Sequence, residues 1–301
     1  MPVHEKTQQN NYIRPHSVAA AISALQTTEN GVLVAGGVVV GSLINQGLLT
    51  HGTIIDISRI ENLRRIEKNH DGSLLLGALV SHDDILKSPV VAAAAPLLAE
   101  IAKDISCGRL RNRGTIGGSL CMIGQQGDPA TGLIALGAEL QLRGPAGQRV
   151  IKLEDFYRDA FEIDLQPGEL VEAVSVPAAI GQERWGFAKL GPRNAMDWTQ
   201  IAVSVVLSLD RSSGSIEQVR IGMNGVAPSA LRARHAETAL SGRTVTALDW
   251  PRITAALDRD IAPQGDVVFS ERYKRHLASV LLKRAILKSF KIEADGKRDI
   301  Q

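Results

Sequence analysis

Gly117 and Gly118 lie in the run Arg111–Asn112–Arg113–Gly114–Thr115–Ile116–Gly117–Gly118–Ser119–Leu120, between a β-branched pair and a small polar residue. Glycines so placed remove the Cβ atoms that would hold a phosphate off the main chain. They also permit the positive φ angles that turn successive N–H groups to one point. The run therefore reads as a cradle for a diphosphate. On its own, a Gly-Gly pair is more often a tight turn than a nucleotide site. Here it has a companion: Leu33–Val34–Ala35–Gly36–Gly37–Val38–Val39–Val40–Gly41–Ser42 follows an apolar strand-like stretch and opens a helical pattern, so its N–H groups also face an anion.

Other chemistries find little support. The seven histidines are dispersed, and no Ser-His-Asp set, metal-spaced His/Cys cluster or paired acid–base motif is evident, so neither catalytic nor metal-binding residues are assigned. The spacing G-x-G-x-x-G is missing, which argues against a Rossmann-type NAD site. The two cysteines, Cys107 and Cys121, cannot build a disulfide framework or supply the four thiolates of an iron–sulfur cluster. Both flank the Gly-Gly loop, where they read as small buried hydrophobes.

A net charge of +2 is too small to imply a nucleic-acid partner, and the basic cluster from Lys274 to Arg284 reads as a solvated helix face. The first eleven residues lack the apolar core of a secretory signal, and no 18-residue apolar run occurs, so the expectation is a cytoplasmic chain without a membrane segment. With 301 residues, 44% of them hydrophobic, there is material for two or three ordinary cores.

The elements that must position the loops are legible in outline. Ser17 caps a helix to about Leu25, with Val18, Ala21, Ile22 and Leu25 on one face. A strand over 32–35, a helix near 39–48 and a strand over 53–57 make a βαβ-like unit too short for a complete Rossmann domain. From Leu63 to Val176 short β runs surround a helical stretch over 89–104, and Leu140–Arg143 returns through Gly144–Pro145–Ala146–Gly147 to Val150–Leu153 as a hairpin. The β pattern breaks at 177–183. Strands near 201–209 and 215–223 then form a meander, and helices near 230–240, 250–257 and 270–290 close the chain.

Further motifs accompany the loops: Tyr12–Ile13–Arg14–Pro15 with Ser17, Gly77–Ala78 with Ser81–His82–Asp83–Asp84–Ile85, Phe187–Ala188–Lys189 with Arg193 and Asp197, and Tyr273–Lys274–Arg275–His276–Leu277 with Arg284–Ala285. Together they resemble the flavoprotein medium subunit of the molybdenum hydroxylases, the xanthine dehydrogenase and carbon monoxide dehydrogenase family. The resemblance spans nearly the whole chain. It implies an α+β fold, with an FAD-binding domain over 1–180 in two parts: a small βαβ-like part over about 1–58 and a mixed or antiparallel sheet part over 59–180. An α+β C-terminal domain of antiparallel sheet with helices is expected over 185–292, and a polar tail over 293–301.

It further implies FAD as the cofactor of this chain, with two cradles gripping its two phosphates. Leu33, Val34, Ala35, Gly36 and Gly37 would form the first, continued into the helix by Val38, Val39 and Val40. Val38 and Val39 replace a hydroxyl and a small polar side chain common in the family, a loss of roughly 1 kcal/mol for each hydrogen bond. Thr115, Ile116, Gly117, Gly118 and Ser119 would form the second, with Ser119 where the family commonly has Asn. Asp128 matches the carboxylate that accepts from ribityl hydroxyls, and Lys189 the cation near the pyrimidine end of the flavin. Ile105 and Val171 match apolar positions beside the ring, and either could equally be core. His82 recurs in the family's Ser-His turn, where a helix-start role fits as well.

By the same resemblance, iron–sulfur clusters and molybdopterin belong to partner chains, a small iron–sulfur subunit and a large molybdopterin subunit, assembled as a dimer of heterotrimers. This chain would pass electrons to an external acceptor and would not hydroxylate substrate alone. The alternatives are a self-contained FAD-dependent oxidoreductase and an assembly scaffold whose flavin site has decayed.

Overall fold

The computed structural model describes residues 11–49, 52–122, 127–160, 162–179, 182–191 and 199–295; Arg193, Asp197 and residues 296–301 of the polar tail lie outside them, as do the first ten residues. The first sheet is parallel, in the order β1 (Asn11–Ile13), β3 (Thr53–Asp56), β2 (Gly31–Val34). Helix α1 (Val18–Thr27) precedes β2, and α2 (Val38–Asn45) makes the crossover from β2 to β3. Ser17 starts α1 by accepting a hydrogen bond from the Ala20 N–H at 3.1 Å, and Ala21 and Ile22 bury the face turned to the sheet. Strand β1 was not anticipated, since three residues are too few for a periodic signal.

The second sheet is antiparallel, in the order β4 (Ile66–Lys68), β5 (Leu74–Gly77), β10 (Leu170–Val176), β6 (Glu139–Gly144), β7 (Gly147–Lys152). Between β5 and β6 run six helices: α3 (His82–Lys87), α4 (Pro89–Ala94), α5 (Pro96–Lys103), α6 (Gly108–Arg111), α7 (Ile116–Leu120) and α8 (Asp128–Ala135). Strand β6 shows why the layers adhere: Leu140 and Leu142 are fully buried while Glu139, Gln141 and Arg143 are not. Each such leucine contributes about 2 kcal/mol of apolar burial. The helical stretch expected over 89–104 is two helices, because Pro96 has no N–H to continue the ladder and opens α5 instead. A short helix α9 (Leu153–Phe156) and a two-stranded ribbon of β8 (Tyr157–Asp159) and β9 (Glu162–Ile163) lead to β10.

The third sheet is antiparallel, in the order β11 (Arg184–Leu190), β12 (Ile201–Leu209), β13 (Ile216–Asn224), β14 (Leu231–Arg232). Along β12, Val203, Val205 and Leu207 point into a core shared with α10 (Arg234–Leu240), α11 (Trp250–Leu257) and α12 (Glu271–Asp295), whereas Ala202 and Val206 join the core of the preceding helices. One sheet thus serves two cores through the two-residue period of its central strand. Across it, Thr131 Oγ1 of α8 meets Ser204 Oγ at 2.8 Å, and Arg220 Nε donates to the Ala135 carbonyl at 2.8 Å. The basic cluster on α12 is less solvated than its composition implies. Lys274 is buried against Asp266 at 2.6 Å, and Lys283 lies over the Trp250 ring.

Beneath the first glycine loop, Asp56 at the end of β3 is the hub of a small network. It accepts hydrogen bonds from the Tyr12 hydroxyl, from Arg14 Nε at 3.0 Å and from the Ser58 N–H at 2.9 Å. Burial pushes the carboxyl up, but hydrogen bonds from Tyr12, Ser58 and Arg14 outweigh it and bring the pKa from 3.8 to about 2. The unfolded chain therefore takes the proton first as pH falls. The stabilisation, about 2 kcal/mol, is fully present above the ordinary carboxylate pKa near 4 and is lost as pH drops through 2. Chemical denaturation between pH 7 and pH 2 is expected to show this loss, and Asp56→Asn should forfeit it already at pH 7 and flatten that part of the profile.

Candidate functional site

The first loop leaves β2 after Val34, passes through Ala35 and Gly36, and enters α2 at Gly37, whose φ of +73° is the left-handed conformation that favours glycine. Gly37 offers no side chain to cap the helix, so the N–H groups of Val38, Val39 and Val40 in the first turn face outward without an intrahelical acceptor. None of the residues of α2 is fully buried. This end of the loop is a set of main-chain donors at the positive end of a helix dipole.

The second loop is built differently from the expectation. Gly117 and Gly118 are helical, not left-handed, and form the first turn of α7 behind the N-cap Thr115. The Ile116 N–H is spent on the Val80 carbonyl at 2.9 Å and that of Gly117 on the Ala78 carbonyl at 3.0 Å. Gly117 is buried, and a Cβ there would meet the Ala78 Cβ at 2.7 Å, so its small size serves packing against the turn after β5 rather than close approach of a ligand. Gly118 is exposed, and a Cβ there would come within 2.9 Å of Thr115 Oγ1. Its own N–H is held by Thr115 Oγ1 at 3.2 Å.

The two loops touch each other. A Cβ on Gly36 would lie 1.7 Å from the Arg113 carbonyl oxygen, and Arg113 Nε donates back to the Gly36 carbonyl at 3.2 Å. Seventy-seven residues apart in sequence, the runs are therefore clasped by main-chain approach at Gly36 and by the Arg113 side chain. The start of α3 fastens the second loop from behind. Ser81 pairs with Thr115, the His82 N–H donates to the Gly114 carbonyl at 3.1 Å, and a capping box between Ser81 and Asp84 fixes the helix start.

Asp128 opens α8, with its side chain 5% exposed. Its Oδ2 lies 2.9 Å from Lys189 Nζ, which also donates to the Asp104 carbonyl at 2.5 Å. Among the described residues Asp128 Oδ1 has no hydrogen-bond partner. A buried carboxylate oxygen left unpaired is costly and suits a hydroxyl donor supplied from outside the chain. Sequence reasoning gave Asp128 and Lys189 separate parts; the structure joins them, a pairing that nothing in their 61-residue separation signals. Ile105 follows Asp104 directly and is half-buried. Its carbonyl and that of Ser106, a residue with φ of +40°, are held by Arg111 Nη1 at 3.1 and 2.9 Å. Val171 and Ile116 are core residues, 5% and 0% exposed, and Leu33 and Ala35 pack on a smaller core beneath the first loop.

The cysteines differ from each other: Cys107, expected to be buried, is half-exposed at the start of α6, where the Leu110 N–H holds its thiol pKa down. Burial pushes the Cys121 thiol up to about 12, so it is inert at neutral pH. Elsewhere, a cleft of about 320 Å³ between α10 and α11 carries His235, Arg252 and Arg259 and shares no residue with the loops.

Residues 6–179 match the family model described as the FAD binding domain in molybdopterin dehydrogenase, and residues 187–289 that of the CO dehydrogenase flavoprotein C-terminal domain. The chain is 33% identical to the carbon monoxide dehydrogenase medium chain of Hydrogenophaga pseudoflava, over 91% of this chain and 95% of that one. It is 26% identical to a xanthine dehydrogenase FAD-binding subunit of Escherichia coli, over 92% and 94%. Among solved structures, carbon monoxide dehydrogenase from Hydrogenophaga pseudoflava superposes with a TM-score of 0.88 at 32% identity, covering 94% of this chain and 97% of that one. Quinoline 2-oxidoreductase from Pseudomonas putida superposes with 0.86 at 25%, covering 93% and 96%.

Pairing makes the site's charges interdependent. Lys189→Met strands a buried carboxylate and is expected to destabilise the protein by about 3 kcal/mol. Adding Asp128→Asn should recover most of that loss, because the amide needs no counter-charge. Denaturant titration of the three proteins checks this: a double variant no more stable than Lys189→Met would show that the pair is not coupled.

Proposed function

Because the chain belongs to the family of FAD-binding medium subunits of the molybdenum hydroxylases, to which carbon monoxide dehydrogenase and xanthine dehydrogenase contribute members, we propose that it is the electron-transfer subunit of such an oxidoreductase. In this reading it takes electrons from iron–sulfur clusters on a small partner subunit and delivers them to an external acceptor, while hydroxylation proceeds on a large molybdopterin subunit. The two cysteines of the chain are too few to hold such clusters itself.

The observation that carries the proposal is the unpaired Asp128 Oδ1, buried where α8 begins and anchored by Lys189. It fits a polyhydroxylated ligand, and the clasped loops fit a diphosphate. Val38, Val39 and Val40 offer main-chain N–H groups, and Gly118 is exposed on the second loop, so phosphate oxygens meet donors without side-chain hydroxyls on α2. Asp128 would accept from ribityl hydroxyls, and Ile105 would pack beside the ring. Lys189 holds Asp128 in place, and its positive charge favours electron density gathering nearby. When bound, FAD supplies the redox chemistry, accepting electrons in its isoalloxazine and releasing them singly or in pairs.

No described helix is long and apolar enough to cross a membrane. We infer a cytoplasmic complex, in which this chain meets one small and one large subunit and the heterotrimers pair.

The purified chain is expected to carry non-covalent FAD in near-stoichiometric amount, seen in its visible absorption. Asp128→Ala should weaken FAD binding by about 10- to 100-fold, through loss of a charge-assisted hydrogen bond worth roughly 1.5–3 kcal/mol. Lys189→Met should weaken it as well as lower the reduction potential, since the lysine anchors the carboxylate. A chain that binds no FAD, or one that turns over a hydroxylation substrate unaided, would overturn the proposal.

A further inference from the structure

His82 is 4% exposed although it sits beside the second glycine loop, at the first position of α3. Its Nε2 lies 2.8 Å from Ser119 Oγ. Gly114 packs on the same Cδ2–Nε2 edge of the ring, where an added Cβ would come within 3.0 Å of Cδ2 and 3.3 Å of Nε2. The ring is thus held in one orientation by the loop backbone and the Ser119 hydroxyl. Burial lowers its pKa to about 4, so the imidazole is neutral under ordinary conditions.

A neutral imidazole carries one proton, and its placement decides what Ser119 can do. Among the described residues Nδ1 is buried without a hydrogen-bond partner. A buried N–H without an acceptor is rarer and costlier than an unused lone pair. The proton therefore belongs on Nε2, which donates to Ser119 Oγ. With its oxygen already accepting from the ring, the serine has its own O–H left to donate. Ser119 is half-buried in the first turn of α7 and faces the start of α8, where a Cβ on Gly127 would lie 3.9 Å from its Cβ. Gly127 is the residue before Asp128, so a hydroxyl with a proton to donate and a carboxylate that accepts come from neighbouring helix starts.

We propose that His82, as its Nε2–H tautomer, is a positioning residue that fixes Ser119 as a donor to an acceptor oxygen of the cofactor's diphosphate, so that the second loop binds an anion through this hydroxyl rather than through the N–H groups of Ile116 and Gly117. The proposal rests on the FAD-binding reading above. It assigns His82 a part in cofactor recognition, in place of a purely structural helix start. It also explains how the second loop keeps its grip although two of its main-chain donors are spent on Val80 and Ala78.

The test uses the full-length protein, stripped of flavin and titrated with FAD, together with ¹⁵N-histidine labelling. The ¹⁵N spectrum should show His82 as the Nε2–H tautomer. Ser119→Ala is expected to raise the Kd for FAD about tenfold, and His82→Phe to do the same. The double variant should be no worse than either single one, because histidine acts only through the serine. His82→Gln, whose amide N–H reaches toward the position of Nε2, should restore most of the affinity, which a purely space-filling role would not allow. Should His82→Phe fail to fold, the glutamine and serine variants and the tautomer still decide the matter. An Nδ1–H tautomer, additive effects in the double variant, or unchanged FAD affinity in Ser119→Ala would each overturn the proposal while leaving FAD binding intact. Failure of the wild-type chain to bind FAD would instead overturn the functional reading, and this proposal with it.

Discussion

The contact between the Gly36 backbone and the Arg113 carbonyl fixes everything around the site. It brings a parallel βαβ unit and a helical loop of the antiparallel sheet to main-chain distance, so that two helix starts, α2 and α7, come from different layers to one place. No side chain larger than hydrogen fits at residue 36, and Arg113 closes the contact from the other side. Because the close approach itself is between main chains, the side chains on α2 are free to differ. Val38 and Val39 can stand where hydroxyls would serve, as long as the N–H groups behind them stay in position.

The second constraint is electrostatic. A carboxylate as deeply buried as Asp128 is tolerable only beside a cation and with donors for its remaining oxygen. Lys189 meets the first requirement from β11, in a different sheet. The second is not met among the described residues, and in the proposed function the ligand meets it, so that the site is less well satisfied empty than filled. This is how a preorganised binding site stores affinity: the unfavourable part of burial has been met by folding, and only the favourable hydrogen bond remains to be made on binding. Ser119, steered by His82, adds the complementary donor nearby.

Much of this was legible in the residues, and the omissions have a common cause. The Ser17 cap, the βαβ unit, the β6–β7 hairpin and the meander of β12 and β13 follow from local pattern, which sequence carries directly. The Gly-Gly runs coincide with two loops that the fold brings together, yet composition could not tell that Gly117 is spent on packing while Gly118 is exposed. That depends on where Ala78 lies. The Asp128–Lys189 pair, the His82–Ser119 contact and the Tyr12–Arg14–Asp56 network join residues 37 to 61 positions apart, and no periodicity reports such pairings. Pro96 was the one local signal passed over, a proline within an alanine- and leucine-rich run that ended one helix and began another.

Helix α8 gathers the threads in one short segment. Its first residue carries the carboxylate, Thr131 in its middle bonds to β12, and the carbonyl of its last residue, Ala135, is held by Arg220 from β13. It packs on α5 before it, but these three polar ties, with Lys189 as the first, run to strands that follow it by sixty residues or more. During synthesis from the N-terminus, the glycine loops can close as soon as residue 120 has left the ribosome, but α8 finds its final seat only after the third sheet has been made. On the proposed assignment of Asp128, a complete flavin site is therefore a late event in the life of the nascent chain, and a ribosome that stalls before Lys189 leaves a product with both loops and no anchored carboxylate.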